Sequence, residues 1–168
     1  MTSCVRHKCL CMSDWYNSCI HRYVLTNNAT SRWPVRGKPR GLSVISPSCN
    51  LLVTCQGELN KLVELSADNG RCVHEISLQP DIECPWHSVQ LTTGEHVVCH
   101  GSFDSGLHRV CVVGDDGKVT RSYGGQHGSD VGQLNRPCHL AVDKDSQFIF
   151  VADQWNRRVV LLLSLIHI

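Results

Sequence analysis

"PCHLAVDKDSQFIFVADQWNRRVVLL", residues 137–162, holds two strand-like apolar runs and a third, basic one, each cut off by a polar turn. Runs of this kind joined by short turns read as an antiparallel meander. Whether the stretch stands alone or is one copy of a repeat decides the fold. Two earlier stretches align with it: "KPRGLSVISPSCNLLVTCQGELNKLVELSADNG" from Lys38 and "CPWHSVQLTTGEHVVCHGSFDSGLHRVCVVGDDG" from Cys84. Each copy opens near a proline, and Pro39, Pro85 and Pro137 are 46 and 52 residues apart. A second strand follows, then a polar loop, then a third strand "KLVELS", "HRVCVVG" or "RRVVLLL".

Turn chemistry breaks the runs where a meander requires it. "SPSCN" and "DKDS" separate first from second strands, and "ADNG" and "GDDG" precede fourth strands "CVHEISL" and "VTRSYGG". Asp, Asn and Gly supply tight-turn dihedrals that β-branched residues resist. A repeat of roughly 40 to 50 residues with four strands is the signature of a β-propeller blade. No helical 3.6-residue period appears. The fold expected is all-β, a partial propeller of four-stranded antiparallel blades, with inner strands at 41–45, 87–91 and 140–143.

Composition narrows the function. The 168 residues carry 16 Lys+Arg against 15 Asp+Glu, with a pI near 7.6, which is not the basic balance of a dedicated nucleic-acid-binding domain. The longest apolar run, residues 159–163, is five residues, against roughly 20 for a membrane-spanning helix. No membrane association is expected. The N-terminal "MTSCVRHKCLCMSDWYNSCIHRYV" mixes charges and cysteines where a secretory signal needs an apolar core, so the chain reads as cytoplasmic. Asn28-Ala29-Thr30 fits a glycosylation sequon, which matters only on secretion.

Eleven cysteines cannot all pair, and most sit inside apolar runs. They read as small buried hydrophobes in a reducing compartment. Cys4, His7, Cys9, Cys11, Cys19 and His21 crowd into 18 residues. Zinc needs four such ligands, but the spacing lacks two clean C-x2-C or C-x2-H pairs, and no metal or other cofactor is assigned from it.

"YGGQHGSDVGQLNRPCHLAVDKDSQFIFVADQWNRRVVLL" resembles an NHL repeat: a Gly-rich lead-in, "QLNRP", a strand of the "LAVD" type, "VAD", then N-x-R-V. The earlier copies are degenerate, with "VTC" and "VCH" in place of "VAD". The resemblance covers residues 32–163 as about three blades, 32–80, 81–125 and 126–163. Residues 1–31 are set apart as a segment or the remnant of a preceding blade. NHL propellers typically have six blades, so the resemblance implies a piece of a larger protein. The third copy reaches "RRVVLLL" and then ends on an atypical tail, 164–168, which reads as an incomplete C-terminus.

The resemblance also implies a binding rim, built from the loops before the inner strands and those between second and third strands. Arg36, Lys38, Arg40, Trp86, Phe103, Arg136, Trp155, Asn156 and Arg157 fall there, and aromatics with arginines anchor protein interfaces. A non-catalytic scaffold for a protein or peptide partner is the leading expectation. Single-stranded RNA on the same rim is the alternative, weakened because Glu58, Asp81, Glu83 and Asp104 offset the four cations of residues 32–40. The outsider is an enzyme resembling the amidating lyases, which hold zinc through histidines near the inner strands. His87 and His139 each lie two residues after a repeat proline, but the first copy has Gly41 there, and no other catalytic motif is present.

Overall fold

Short apolar runs of alternating pattern, punctuated by Gly, Asn and Asp, leave the chain one economical way to satisfy its backbone: pairing each run with the next. The computed structural model describes residues 1–143 and 148–163, and it shows this pairing throughout. The first sheet is β1 (Thr2–Cys4), β2 (Cys9–Asp14), β3 (Cys19–Val24) and β4 (Thr30–Pro34). The second is β5 (Lys38–Val44), β6 (Leu51–Gln56), β7 (Lys61–Leu65) and β8 (Cys72–Ser77). In the third are β9 (Pro85–Gln90), β10 (His96–His100), β11 (His108–Val113) and β12 (Val119–Gly125). The fourth holds β13 (Pro137–Val142), β14 (Phe148–Asp153) and β15 (Arg158–Leu163). Every sheet is an antiparallel meander in chain order. The one helical element among the described residues is a 3-10 turn, Gln154–Asn156.

The four sheets are propeller blades, with β1, β5, β9 and β13 innermost and each touching the next. The repeat alignment led us to expect about three blades; the structure has four, because residues 2–34 form a sheet of their own. That sheet lacks the proline marker and has an inner strand of only three residues, so alignment on proline passes it over. Part of the expected "DKDS" turn and the whole of the 164–168 tail lie outside the described residues.

Burial along the second strands shows how the blades stack. β6 and β10 lie between two neighbouring sheets and are buried on both faces. On β6, Leu51, Val53 and Cys55 face the first sheet's core, while Leu52 joins the core shared with the third. On β10, Val97 and Cys99 meet the fourth sheet and Val98 meets the second. By contrast β2 and β14 alternate buried with exposed residues, each burying one face. Most cysteines do fill core positions: Cys55 and Cys111 are buried, and burial pushes both thiols up to about 12, which keeps them neutral.

Candidate functional site

The strongest side-chain constellation lies on one rim of the blades. Starting in the first sheet, the Trp15 ring meets Tyr16 edge-on at 5.1 Å. The Lys38 ammonium lies 5.3 Å from the Trp15 centroid and the Arg40 guanidinium 5.0 Å. Arg40 also lies 4.7 Å from the Trp86 centroid, and Arg136 lies 4.6 Å from Trp86 and 5.3 Å from Trp155. Phe103 closes the row, edge-on to Trp155 at 4.4 Å. Each blade contributes: Trp15 from the β2–β3 turn, Arg40 from β5, Trp86 from β9, Arg136 and Trp155 from the loops before and within the fourth sheet. Each close cation–aromatic contact stabilises by about 0.5–1 kcal/mol at a partly exposed site.

Local hydrogen bonds hold the row in place. Arg40 Nε donates to Gln56 Oε1 at 3.1 Å, and Gln56 Nε2 donates to the Pro85 carbonyl at 3.0 Å, linking second and third sheets. Trp86 Nε1 donates to the Gly101 carbonyl at 2.8 Å. Arg136 adopts a left-handed backbone, φ 56°, and its N–H donates to His108 Nδ1 at 2.8 Å.

In the fourth sheet the fully buried Asp153 carboxylate is the anchor. It accepts from the Asn135 N–H at 2.6 Å, from Asn156 Nδ2 at 2.8 Å and from Arg158 Nε at 2.8 Å. The Trp155 N–H donates to the Asn135 carbonyl at 3.1 Å. The "VAD" and "N-x-R" positions are thus two ends of one tie that fixes Arg136 beside Trp155.

The expected rim residues separate into groups. Lys38, Arg40, Trp86, Phe103, Arg136 and Trp155 come together in the row. Asn156 serves the Asp153 tie and also donates to the Gly128 carbonyl. Arg157 takes the left-handed position that ends the 3-10 turn, its N–H donating to the Gln154 carbonyl. Arg36 lines a separate pocket with Val63, Cys72 and Glu75, and its charge helps hold the Glu75 carboxyl down, behind the larger effect of Lys61. Trp15 completes the row and was missed, because it lies in the segment that no repeat marker claimed.

Two hollows flank Trp15. One, about 300 Å³, runs from Ser13, Arg40 and Trp86 down to Gly41, His87, Cys138 and His139 at the inner strands. The other, about 520 Å³, is lined by Lys38 together with Glu83, Asp104 and Asn60, so two of the four expected acidic residues share a hollow with one cation, while Asp81 pairs with Arg109 instead. His87 and His139 stack at 3.9 Å. His87 Nδ1 accepts from the Leu140 N–H at 3.3 Å and its Nε2 donates to the Leu42 carbonyl at 3.1 Å. Both ring nitrogens are engaged, and burial, with His139 behind it, pulls this imidazole down to about 4. His87 is therefore a neutral brace between blades and has no lone pair free for a metal. Gly41 is required by the same brace: a Cβ there would sit 2.6 Å from His87 Cα and 2.5 Å from the Trp86 carbonyl oxygen.

No family model matches the chain, and no curated protein matches it. Solved structures do resemble it. A protein of unknown function from Bacteroides caccae superposes with a TM-score of 0.63 at 14% identity, over 92% of this chain and 57% of that one. A luciferin-regenerating enzyme gives 0.61 at 14% identity, over 95% and 53%. An auxiliary nutrient binding protein from Bacteroides thetaiotaomicron gives 0.57 at 13% identity, over 91% and 45%. The chain spans just over half the length of the first two. At such identities the likeness establishes the propeller fold, and function rests on the site.

Proposed function

We propose that the chain is the blade-bearing part of an NHL-type propeller whose aromatic–arginine rim docks a protein or peptide segment, without catalysis and in the cytoplasm. The observation that carries this reading is the row from Trp15 to Phe103, which crosses all four blades. Aromatic and arginine side chains are the residues that concentrate binding energy at protein interfaces. Phe103 is 82% exposed and Trp155 36%, so an apolar surface is held ready beside fixed cations. A segment with acidic and apolar side chains matches both. Among the described residues no helix is long and apolar enough to cross a membrane.

RNA fits this rim less well. Affinity for single strands draws on several phosphate contacts at once, while Lys38 shares its hollow with Glu83 and Asp104, and Arg40 is committed to Gln56 and two indoles. The test is a selection of displayed peptides against the chain, followed by titration of the selected peptide. Trp155→Ala is expected to weaken binding about tenfold or more, by a factor that changes little between low and physiological salt because the indole's share is apolar. Single-stranded RNA bound at physiological salt, and lost on Lys38→Ala, Arg40→Ala and Arg136→Ala together, would overturn the protein-docking reading.

A further inference from the structure

The crowded cysteines and histidines of the first 21 residues fall into two groups, and one gains partners from the second sheet. Cys4 lies directly opposite Cys9 across the β1–β2 ladder, and Cys11, two residues on, shares its face. His7, in the turn between them, brings Nδ1 to 3.3 Å from Cys4 Sγ. Cys49 arrives from the β5–β6 turn, so that the donor atoms of Cys4, His7 and Cys49 all lie within 4.8 Å of one another. Cys9 and Cys11 line one pocket with Cys4 and Cys49, which holds about 10 Å³ of free space, room for a single small body.

We propose that Cys4, His7 and Cys49, with a fourth thiolate from the Cys9–Cys11 pair, bind one Zn²⁺ that ties the first sheet to the second. Zinc bonds of about 2.3 Å to sulfur and about 2.0 Å to nitrogen, set tetrahedrally, place neighbouring donors about 3.5–3.8 Å apart. Among Cys4, His7 and Cys49 the widest pair closes by at most about 1 Å to reach that geometry, and the fourth thiolate moves in from the pocket wall, since neither Cys9 nor Cys11 lies within 4.8 Å of all three donors. Three further features fit. His7 Nε2 faces Asp68 Oδ1 of the second sheet at 3.4 Å, the carboxylate–histidine arrangement that orients a ligating imidazole. Arg22 lines the pocket, and its Nε is buried with no hydrogen-bond partner among the described residues. Three thiolates and a neutral imidazole on Zn²⁺ carry one net negative charge, which this guanidinium offsets, and three thiol protons leave on binding. Cys49 also holds a left-handed backbone, φ 62°, a conformation that is costly away from glycine and tends to persist where function requires it.

The second group, Asp14, Cys19 and His21, is occupied from within. Asn17 holds Asp14 through two hydrogen bonds, and Arg32 Nε donates to Cys19 Sγ at 3.1 Å. The spacing of the N-terminal cluster concealed the site, because one ligand and the outer carboxylate come from another blade.

The reduced 168-residue chain, stripped with chelator and dialysed against zinc, should hold one zinc per chain by elemental analysis. Co²⁺ should give thiolate charge-transfer absorption, and zinc should slow alkylation of Cys4, Cys49 and one of Cys9 or Cys11 while leaving Cys138 unprotected. Cys49→Ser and His7→Ala should each weaken zinc binding at least tenfold, and His21→Ala should leave it unchanged. No zinc bound by the unaltered chain, or zinc that survives Cys49→Ser and is lost with His21→Ala, would overturn the proposal. Because the Co²⁺ spectrum and the alkylation pattern are read on the unaltered chain, a variant that fails to fold leaves the outcome decided.

Discussion

The junction between the first and second blades and the junction between the third and fourth do the same job with different materials. Between the first two, Cys4, Cys9, Cys11 and Cys55 pack with Trp33, Leu51, Val53 and Val63. Between the last two, Val97, Val110, Val112, Leu134, Leu140, Ile149 and Val151 make the core, with one buried cysteine, Cys99. The loops above them differ as well. The fourth blade is fastened by a buried carboxylate with three donors and by His108 on the Arg136 backbone. In the first blade His7 and His21 stay partly or largely exposed, and thiols fill the interior. A hydrogen-bonded tie fixes residue identity atom by atom, whereas apolar filling constrains only volume. This is why the fourth blade carries a readable motif and the first does not.

The comparison breaks most sharply at Asp153. Asp153→Ala leaves the Asn135 N–H, Asn156 and Arg158 without their shared acceptor, and should cost about 3 kcal/mol, because removing one partner of a buried ion pair strands the other. Urea denaturation of the chain measures this, and a loss under about 1 kcal/mol would mean that the tie is ornamental and the apolar core alone seats the blade.

Acid probes the same half of the molecule with a smaller effect. His87 titrates near 4 when folded, against about 6.5 when unfolded. The unfolded chain then binds more protons, so this contribution is complete above pH 6.5 and is lost as pH falls toward 4. Between pH 7 and 5 the loss from His87 should be about 2 kcal/mol, and His87→Gln should flatten that part of the pH dependence. An unchanged slope in the variant would assign the acid sensitivity elsewhere: to His100, also pulled down to about 4 by burial, or to His96 and His139, which burial lowers as well.

The smallest effect belongs to the thiol-filled junction. Cys55 is fully buried and lies outside the thiol pocket, so Cys55→Ala should cost about 1 kcal/mol as simple loss of packing. The cost should be the same with and without zinc. A zinc-dependent cost would show that the filler cysteines and the proposed ligands act as one unit.

What the sequence determined by itself was the local repeat: apolar alternation, Asp-Asn-Gly turns and spaced prolines are short-range signals, and they place β5 to β15 as strands of a propeller. The resemblance to NHL blades, not these signals alone, implied that Arg40, Trp86, Arg136 and Trp155 share one rim, because position within a blade fixes which end of the disc a loop occupies. Tertiary structure alone decided the rest. Trp15 enters the row, Arg36 leaves it, Gly41 yields to His87, and Cys49 joins Cys4 and His7, each through contact between different blades. Such contacts join residues tens of positions apart, and their distances follow from how sheets twist and stack, which no local pattern encodes.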